Sequence, residues 1–205
     1  MVMSGNSPVG LVIPTRWEAR DILQHFHFKR SGRAFHRAEI GGRPVLACVS
    51  GVGQKAAALA AERLVTAGAK ELVSLGFCGA LTPDLKVGDL VTDRIITVDQ
   101  PARTSEERRT LTQRANAVAV DMETRAVIET GTRCGVPIRV LRVVSDEFAD
   151  DLTPLFGKSG SFSAWGIAWR LLRPKVWPLA RKLRAQSAVA RQRLVEELTR
   201  FLQAR

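Results

Sequence analysis

The chain has 205 residues, of which 45% are hydrophobic, and a net charge of +11. This length suits one medium-sized domain that buries a core without metals or disulfides. The three cysteines show no CxxC spacing and no histidine pair lies nearby, so we expect neither a disulfide framework nor a zinc site. Without a basic leader or an apolar run of about 20 residues, we expect a cytoplasmic protein with no signal peptide and no membrane span.

The positive charge is concentrated at the C-terminal end. Residues 158–205 contain eleven Lys or Arg and only two acids, which leaves a net charge of +2 for residues 1–157. We therefore predict a main domain over residues 1–157. A basic, Trp-rich helical extension over residues 158–205 is expected to pack on this domain or dock beside it.

Short apolar runs alternate with amphipathic or alanine-rich stretches, a pattern typical of strands alternating with helices. The predicted elements are strand 9–13, helix 17–26, hairpin strands 33–40 and 44–50, helix 55–68, strands 71–77 and 87–98, a short helix around 106–114, strand 117–120, helix 123–135 and strand 137–145. Parallel strands need crossover connections, so this order predicts an α/β three-layer sandwich. Its central sheet is mixed but largely parallel and is flanked by helices.

Four features follow predicted strands at their carboxyl ends, where ligands of such sheets bind. Each has an ordinary structural explanation, such as a first-turn acid, a tight turn or a helix cap. Their shared placement favours a pocket. The four features are Glu18, a glycine loop at Gly76–Gly79, the pair Met122-Glu123 and the pair Ser145-Asp146.

Several motifs stand in a fixed order around these features. They are SGVG at 50–53, LGFCGAL followed by LKVGDLV, VDMET at 120–124 and VVSD at 143–146. From Val9 to Asp146 the chain resembles the purine nucleoside phosphorylase and methylthioadenosine/S-adenosylhomocysteine nucleosidase superfamily. The early WEAR, the shortened middle and the basic extension are similar to its small hopanoid-associated branch. That resemblance implies a homodimer acting on an adenine nucleoside, either of methylthioadenosine or adenosylhomocysteine type or an adenosyl lipid.

Cleavage of an N-glycosidic bond develops positive charge on the ribose and negative charge on the departing base. The resemblance implies that Glu18 activates water as general base, while Asp146 holds a proton for the purine. Glu123 accepts hydrogen bonds from the ribose hydroxyls, and Met122 packs on the ribose face. The other residues expected to contact substrate are Gly76, Phe77, Cys78, Gly79, Ser145 and Arg16.

The glycine loop does not decide whether the nucleophile is water or phosphate, because its backbone N–H groups could bind either. Arg16 is a candidate to hold phosphate, yet Glu18 lies two residues away and would repel a dianion, which favours hydrolysis. No cofactor or metal is expected, apart from inorganic phosphate as co-substrate of a phosphorylase.

Two departures from the family pattern support a third interpretation. Residues 99–116 lack the aromatic residue that stacks on the base in family members, and Phe77 occupies a position where a small or hydroxyl residue is usual. A catalytically degenerate nucleoside-binding or membrane-associated protein is therefore the third interpretation.

The basic extension divides into two segments. Trp165, Trp169 and Trp177 lie among cations, so residues 162–182 predict peripheral contact with an anionic membrane. Residues 183–203 predict a helix packed on the domain through a face that carries Leu183, Ala190, Leu194, Leu198 and Phe201. A nucleic-acid partner is not expected, because no recognition motif accompanies the charge.

Overall fold

The computed structural model describes residues 7–157, 170 and 172–204. The strands are β1 (Val9–Ile13), β2 (Lys29–Ser31), β3 (Phe35–Ile40), β4 (Arg43–Val49), β5 (Glu71–Ala80), β6 (Leu90–Val91), β7 (Ile95–Thr97), β8 (Ala119–Asp121) and β9 (Ile138–Asp146). The helices are α1 (Arg16–His25), α2 (Gln54–Thr66), α3 (Ser105–Ala115), α4 (Thr124–Cys134), α5 (Thr153–Phe156) and α6 (Trp177–Gln203), and a 3-10 turn at Pro174–Val176 precedes α6.

These strands form one mixed sheet in the order β2-β3-β4-β1-β5-β8-β7, and β9 pairs with both β5 and β6. The central strands β4, β1, β5 and β9 run parallel to one another. Antiparallel pairing is found between β2, β3 and β4 at one edge and where β8 meets the end of β5. The predicted α/β sandwich with a mixed, largely parallel sheet is confirmed.

Helices cover both faces of the sheet. On β1, Leu11 and Ile13 join a core with α1 and α6, whereas Val12 joins a second core with α2 and α4. This division follows from the strand period of two, which sends successive side chains to opposite faces. The carboxyl ends of the parallel strands therefore open between two helical layers.

Two sequence-based strand assignments were wrong. Residues 87–98 form two short strands, because β6 pairs with β9 whereas β7 pairs with β8. The chain changes partners at Arg94, which has a left-handed φ of +52° and whose guanidinium binds the backbone and side-chain oxygens of Asn116. The predicted glycine loop is the continuation of β5 to Ala80, with a register shift between Cys78 and Gly79.

Helix α6 of the extension is part of the same core. Ala190, Leu194, Leu198 and Leu202 of α6 are buried in the cluster that also contains β1 and α1. Beside this cluster, the Arg191 guanidinium of α6 stacks over the Trp17 ring of α1, and its Nε lies 2.7 Å from Asp21 Oδ2 of the same helix. None of the described helices is long and apolar enough to cross a membrane.

We expect Leu194→Ala to lower the free energy of unfolding by about 2–5 kcal/mol, the usual cost of deleting a fully buried Leu side chain. Val189→Ala on the exposed side of α6 serves as the matched control and should change it by no more than about 0.5 kcal/mol. Urea denaturation followed by circular dichroism measures both. Equal effects of the two substitutions would contradict the packing of α6 in the core.

Candidate active site

A cavity of about 380 Å³ lies at the carboxyl ends of β1, β5, β8 and β9. Eight of the ten residues predicted for the site line it: Glu18, Phe77, Cys78, Gly79, Met122, Glu123, Ser145 and Asp146. Gly76 and Arg16 do not. Within the described part of the chain, no group of three or more His, Cys, Asp or Glu side chains is arranged to hold a metal ion.

Glu18 enters the cavity from the first turn of α1. The helix begins at a Thr15 cap, whose hydroxyl accepts from the Glu18 backbone N–H and donates to Glu18 Oε2 at 2.5 Å. The other carboxylate oxygen, Oε1, accepts the Phe77 backbone N–H at 2.7 Å. Burial raises the pKa of Glu18, and the two hydrogen bonds and the charge of Arg142 oppose that rise.

The two acids of the VDMET motif have separate tasks. Asp121 Oδ2 accepts the Thr124 backbone N–H at 2.9 Å, so Asp121 serves the start of α4, whereas Glu123 makes no capping hydrogen bond. Glu123 Oε1 instead accepts the backbone N–H of Gly53 at 2.8 Å, across the cavity in the SGVG motif. Gly53 has a φ of +99°, which glycine adopts readily.

Glu123 is as deeply buried as Glu18, with 4% of its surface exposed. Burial raises the pKa of Glu123 to about 6, with smaller upward contributions from the nearby carboxylates of Asp121 and Glu18. Arg142 and the Gly53 N–H act in the opposite direction. A carboxylate has about four acceptor positions, so Glu123 keeps capacity for a hydroxyl donor in the cavity.

Arg142 of β9 lies behind these acids and is fully buried. Its guanidinium nitrogens lie 3.0 Å from Asp121 Oδ2 and 3.5 Å from Glu123 Oε2. They also donate to the hydroxyls of Ser74 and Thr124 and to the Phe77 carbonyl. One cation therefore orients two carboxylates and offsets part of their repulsion.

On the opposite side, the Asp146 carboxyl closes the end of β9. Ser145 Oγ donates to Asp146 Oδ1 at 2.8 Å, and Arg108 of α3 binds Asp146 Oδ2 at 2.5 Å. Burial raises the pKa of Asp146, while the Arg108 charge and the Ser145 hydrogen bond lower it. Cys78 lies on β5 in the same wall, and burial raises the pKa of its thiol, so it is not a ready nucleophile.

The sequence analysis expected the glycines of β5 to bring backbone N–H groups close to a ligand, but the structure gives them another role. A Cβ on Gly76 would lie 2.7 Å from Glu18 Oε1 and 2.8 Å from an Arg142 nitrogen, and a Cβ on Gly79 would lie 2.8 Å from Asp146 Oδ2. These glycines leave room for the charged side chains. Gly76 therefore lies beneath the site and does not line it.

Arg16 points away from the cavity. It lines a separate groove of about 720 Å³ between α1, α2 and the β2–β3 hairpin, together with Arg20, Arg30, Arg33 and Arg63. The expectation that Arg16 holds phosphate in the cavity is therefore wrong. The first turn of α1 directs Arg16 to this groove and Glu18 to the cavity, because side chains two apart on a helix face different directions.

Most of the remaining wall is apolar, and it includes aromatic residues that the sequence analysis did not assign. From residues 99–116, Pro101 and Ala102 line the cavity, and this segment supplies no aromatic ring, as expected. Trp17 of α1 and Phe156 of α5 supply aromatic surface from elsewhere, and Leu183 of α6 also lines the cavity. The extension thus contributes directly to the site.

A family model described as the phosphorylase superfamily matches residues 8–92 and 93–161. The chain belongs to the phosphorylase superfamily. A uridine phosphorylase of Escherichia coli is 38% identical to this superfamily member over 64 residues, 31% of the chain and 25% of that enzyme. The match thus spans about a quarter of the relative's length.

Solved structures of the superfamily share the fold. A 5′-methylthioadenosine/S-adenosylhomocysteine nucleosidase of Helicobacter pylori is similar with a TM-score of 0.70 and 18% identity, over 95% of this chain and 100% of that one. A futalosine hydrolase of the same organism is similar with a TM-score of 0.66 and 18% identity, over 93% and 98% of the two chains.

The sequence analysis also missed the two buried arginines that hold the carboxylates of the site, Arg142 and Arg108. Arg142 had a usable signal, since it interrupts the apolar run of β9 between Leu141 and Val143. Arg108 had none, because the adjacent Arg109 is identical in type and shares the same helical segment. Only the orientation of α3 distinguishes the buried arginine from the exposed one.

The raised pKa of Glu123 predicts a pH dependence of stability. The folded protein binds the Glu123 proton more tightly than the unfolded chain does. The stabilisation of the folded state by this proton is therefore fully present below about pH 4.5 and is lost as the pH rises through about 6. Relative to Glu123→Gln, the wild type should lose about 2 kcal/mol of unfolding free energy across this window. Denaturation at several pH values measures the difference.

Glu129→Gln is the matched control, since Glu129 is an exposed acid of the same helix. The difference between this control and the wild type should not vary with pH over the same range. A Glu123→Gln difference that is likewise constant would contradict the raised pKa.

Proposed function

We propose that the chain hydrolyses the N-glycosidic bond of an adenine nucleoside, with water as the nucleophile. One observation carries the choice of water. Glu18, Asp121 and Glu123 line the cavity, and its described lining contains no Lys or Arg. An inorganic phosphate dianion would enter a site rich in negative charge, whereas water and a neutral nucleoside would not be repelled.

Glu18 acts as the general base. It accepts a proton from water as the oxygen attacks the anomeric carbon of the ribose, and the pair of electrons in the breaking C–N bond moves to the purine. Its hydrogen bonds to the Thr15 hydroxyl and the Phe77 N–H fix the carboxylate in one orientation. Positioned proton transfer of this kind contributes about 10²- to 10⁴-fold in rate.

Glu123 binds the ribose. It accepts hydrogen bonds from the sugar hydroxyls and places negative charge near the oxocarbenium-like sugar, with Met122 beside it in the cavity wall. Asp146 faces the base and donates its proton to a ring nitrogen as the bond breaks. The buried location favours the protonated carboxyl that this step requires.

The structural relatives support an adenine nucleoside as substrate, because the Helicobacter pylori nucleosidase is named for 5′-methylthioadenosine and S-adenosylhomocysteine. An apolar wall that includes Trp17, Phe156 and Leu183 is compatible with an apolar substituent on the ribose, as in an adenosyl lipid. Phosphorolysis is the alternative that the uridine phosphorylases favour. The homodimer implied by the resemblance stays a prediction.

We expect adenine release from methylthioadenosine, adenosylhomocysteine or an adenosyl lipid at a rate that does not depend on added phosphate. Glu18→Gln should lower kcat by about 10²- to 10⁴-fold. Glu39→Gln, an exposed acid on β3, should leave it unchanged. Chromatographic detection of free adenine measures the rate, and a requirement for phosphate, with a ribose phosphate as product, would assign phosphorolysis instead.

We further propose a peripheral contact with an anionic membrane at the start of α6. Part of the segment predicted for it, including Trp165 and Trp169, lies outside the described residues. Leu172 and Trp177 are 69% and 49% exposed, and the exposed cations nearby are Arg173, Lys175, Arg181 and Arg184. Val176 is buried and does not belong to this surface. Apolar and basic groups together favour an anionic bilayer surface.

The full chain is expected to bind vesicles of anionic phospholipid, less so as the salt concentration rises. Deleting the extension is not a suitable test, since α6 is part of the core. Leu172→Ser combined with Trp177→Ser should instead weaken vesicle binding, whereas Ile128→Ser on the exposed face of α4 should not. Sedimentation with vesicles measures both, and equal binding by all three proteins would remove the proposal.

A further inference from the structure

Arg108 is a fully buried cation at the base of the cavity wall. Besides the contact with Asp146 Oδ2 at 2.5 Å, its guanidinium donates to the carbonyls of Ala80 at 3.0 Å, Glu147 at 2.7 Å and Ala102 at 3.2 Å. These carbonyls belong to the end of β5, the turn after β9 and the segment before α3. One side chain therefore joins three backbone segments and one carboxyl group of the site.

A buried arginine loses much hydration, and carbonyl groups alone do not neutralise its charge. Asp146 is the acid in direct contact with Arg108, and their charge-assisted contact is short. The space around the Asp146 carboxyl is also limited, because a Cβ atom added at Gly79 would lie only 2.8 Å from Asp146 Oδ2. The arrangement gives the Asp146 carboxyl little freedom to turn away from the cavity it lines.

We propose that Arg108 is a positioning residue for Asp146: it fixes the carboxyl at the cavity wall and controls how readily that carboxyl gives up its proton. The inference rests on the proposed function insofar as Asp146 is assigned the base-side proton. The placement of Arg108 itself does not depend on the reaction.

The groups that face Asp146 come from every element around it. Arg108 of α3 and the Ser145 hydroxyl favour the ionised carboxylate, whereas burial and the negative charge of Asp150 favour the protonated form. Asp150 is itself paired with Lys182 of α6 at 2.5 Å. The thiol of Cys78 on β5 interacts with Asp146 as well. Among the described residues, Arg108 is the cation in direct contact with the Asp146 carboxyl. Without it, burial and the charge of Asp150 would raise the pKa of Asp146 further.

This role also gives a reason for the short segment between β7 and β8. In place of an aromatic ring, α3 supplies a cation that reaches under the wall formed by Pro101 and Ala102. The same segment is tied to the turn after β9, because the Leu152 N–H donates to the Arg103 carbonyl at 2.8 Å. The base side of the site is therefore organised by charge and backbone hydrogen bonds.

The test is a pH titration of the Asp146 carboxyl carbon by NMR in protein with 13C-labelled aspartate, assigned through Asp146→Asn. Arg108→Gln keeps amide donors for the carbonyls but removes the charge, so the Asp146 titration should move to higher pH. Arg108→Lys keeps a charge and should titrate closer to the wild type. Arg109→Met, at the adjacent exposed arginine, should titrate like the wild type.

An Asp146 titration in Arg108→Gln that coincides with the wild type would overturn the proposal. Should that variant not fold, the double variant Arg108→Gln/Asp146→Asn leaves neither charge unpaired and should regain cooperative unfolding; failure to regain it would assign Arg108 to carbonyl anchoring alone. The titration needs no substrate. If it shifts as expected while no nucleoside is cleaved, the proposed function fails and the positioning role stands.

Discussion

The arrangement of the acids proposed to act on the ribose depends on the buried guanidinium of Arg142. Glu18 follows β1, and Asp121 and Glu123 lie at the end of β8; without a central cation, the charges of these three acids would repel one another. Arg142 binds Asp121 and Glu123 directly. Its charge also opposes the rise that burial causes in the pKa of Glu18. The hydroxyl and carbonyl partners of Arg142 satisfy its remaining donors, so the cost of burying it is offset by several contacts.

That cluster explains why neighbouring acids in VDMET differ in their tasks. Asp121 is fully engaged with Arg142, the Thr97 hydroxyl and the start of α4. Glu123 is held by only one backbone N–H and by a longer contact to the guanidinium. A rigid acid beside a less saturated one is the arrangement expected of a support and a ligand-binding group.

The sequence predicted the fold and eight of the residues that line the cavity, because strand ends and helix starts are encoded locally. Glu18 follows an apolar strand and Glu123 precedes a helical pattern, and parallel strands bring such positions to one edge. The fate of Gly76 and Arg16 was not predicted. Whether a glycine leaves room for a ligand or for a neighbouring side chain depends on what packs against it, and the direction of Arg16 depends on the rotation of α1. Neither quantity is local.

The positions of the cations support the proposed hydrolysis over phosphorolysis. Arg108 and Arg142 each lie behind the carboxylates that line the cavity and are bound by them, so their charge orients acids and is not presented to a ligand. Arg16 and four other arginines line a separate groove. A phosphate nucleophile needs accessible positive charge beside the sugar, and the described cavity wall offers negative charge there. The same acids suit a water molecule, which can donate one hydrogen bond to Glu18 while it attacks.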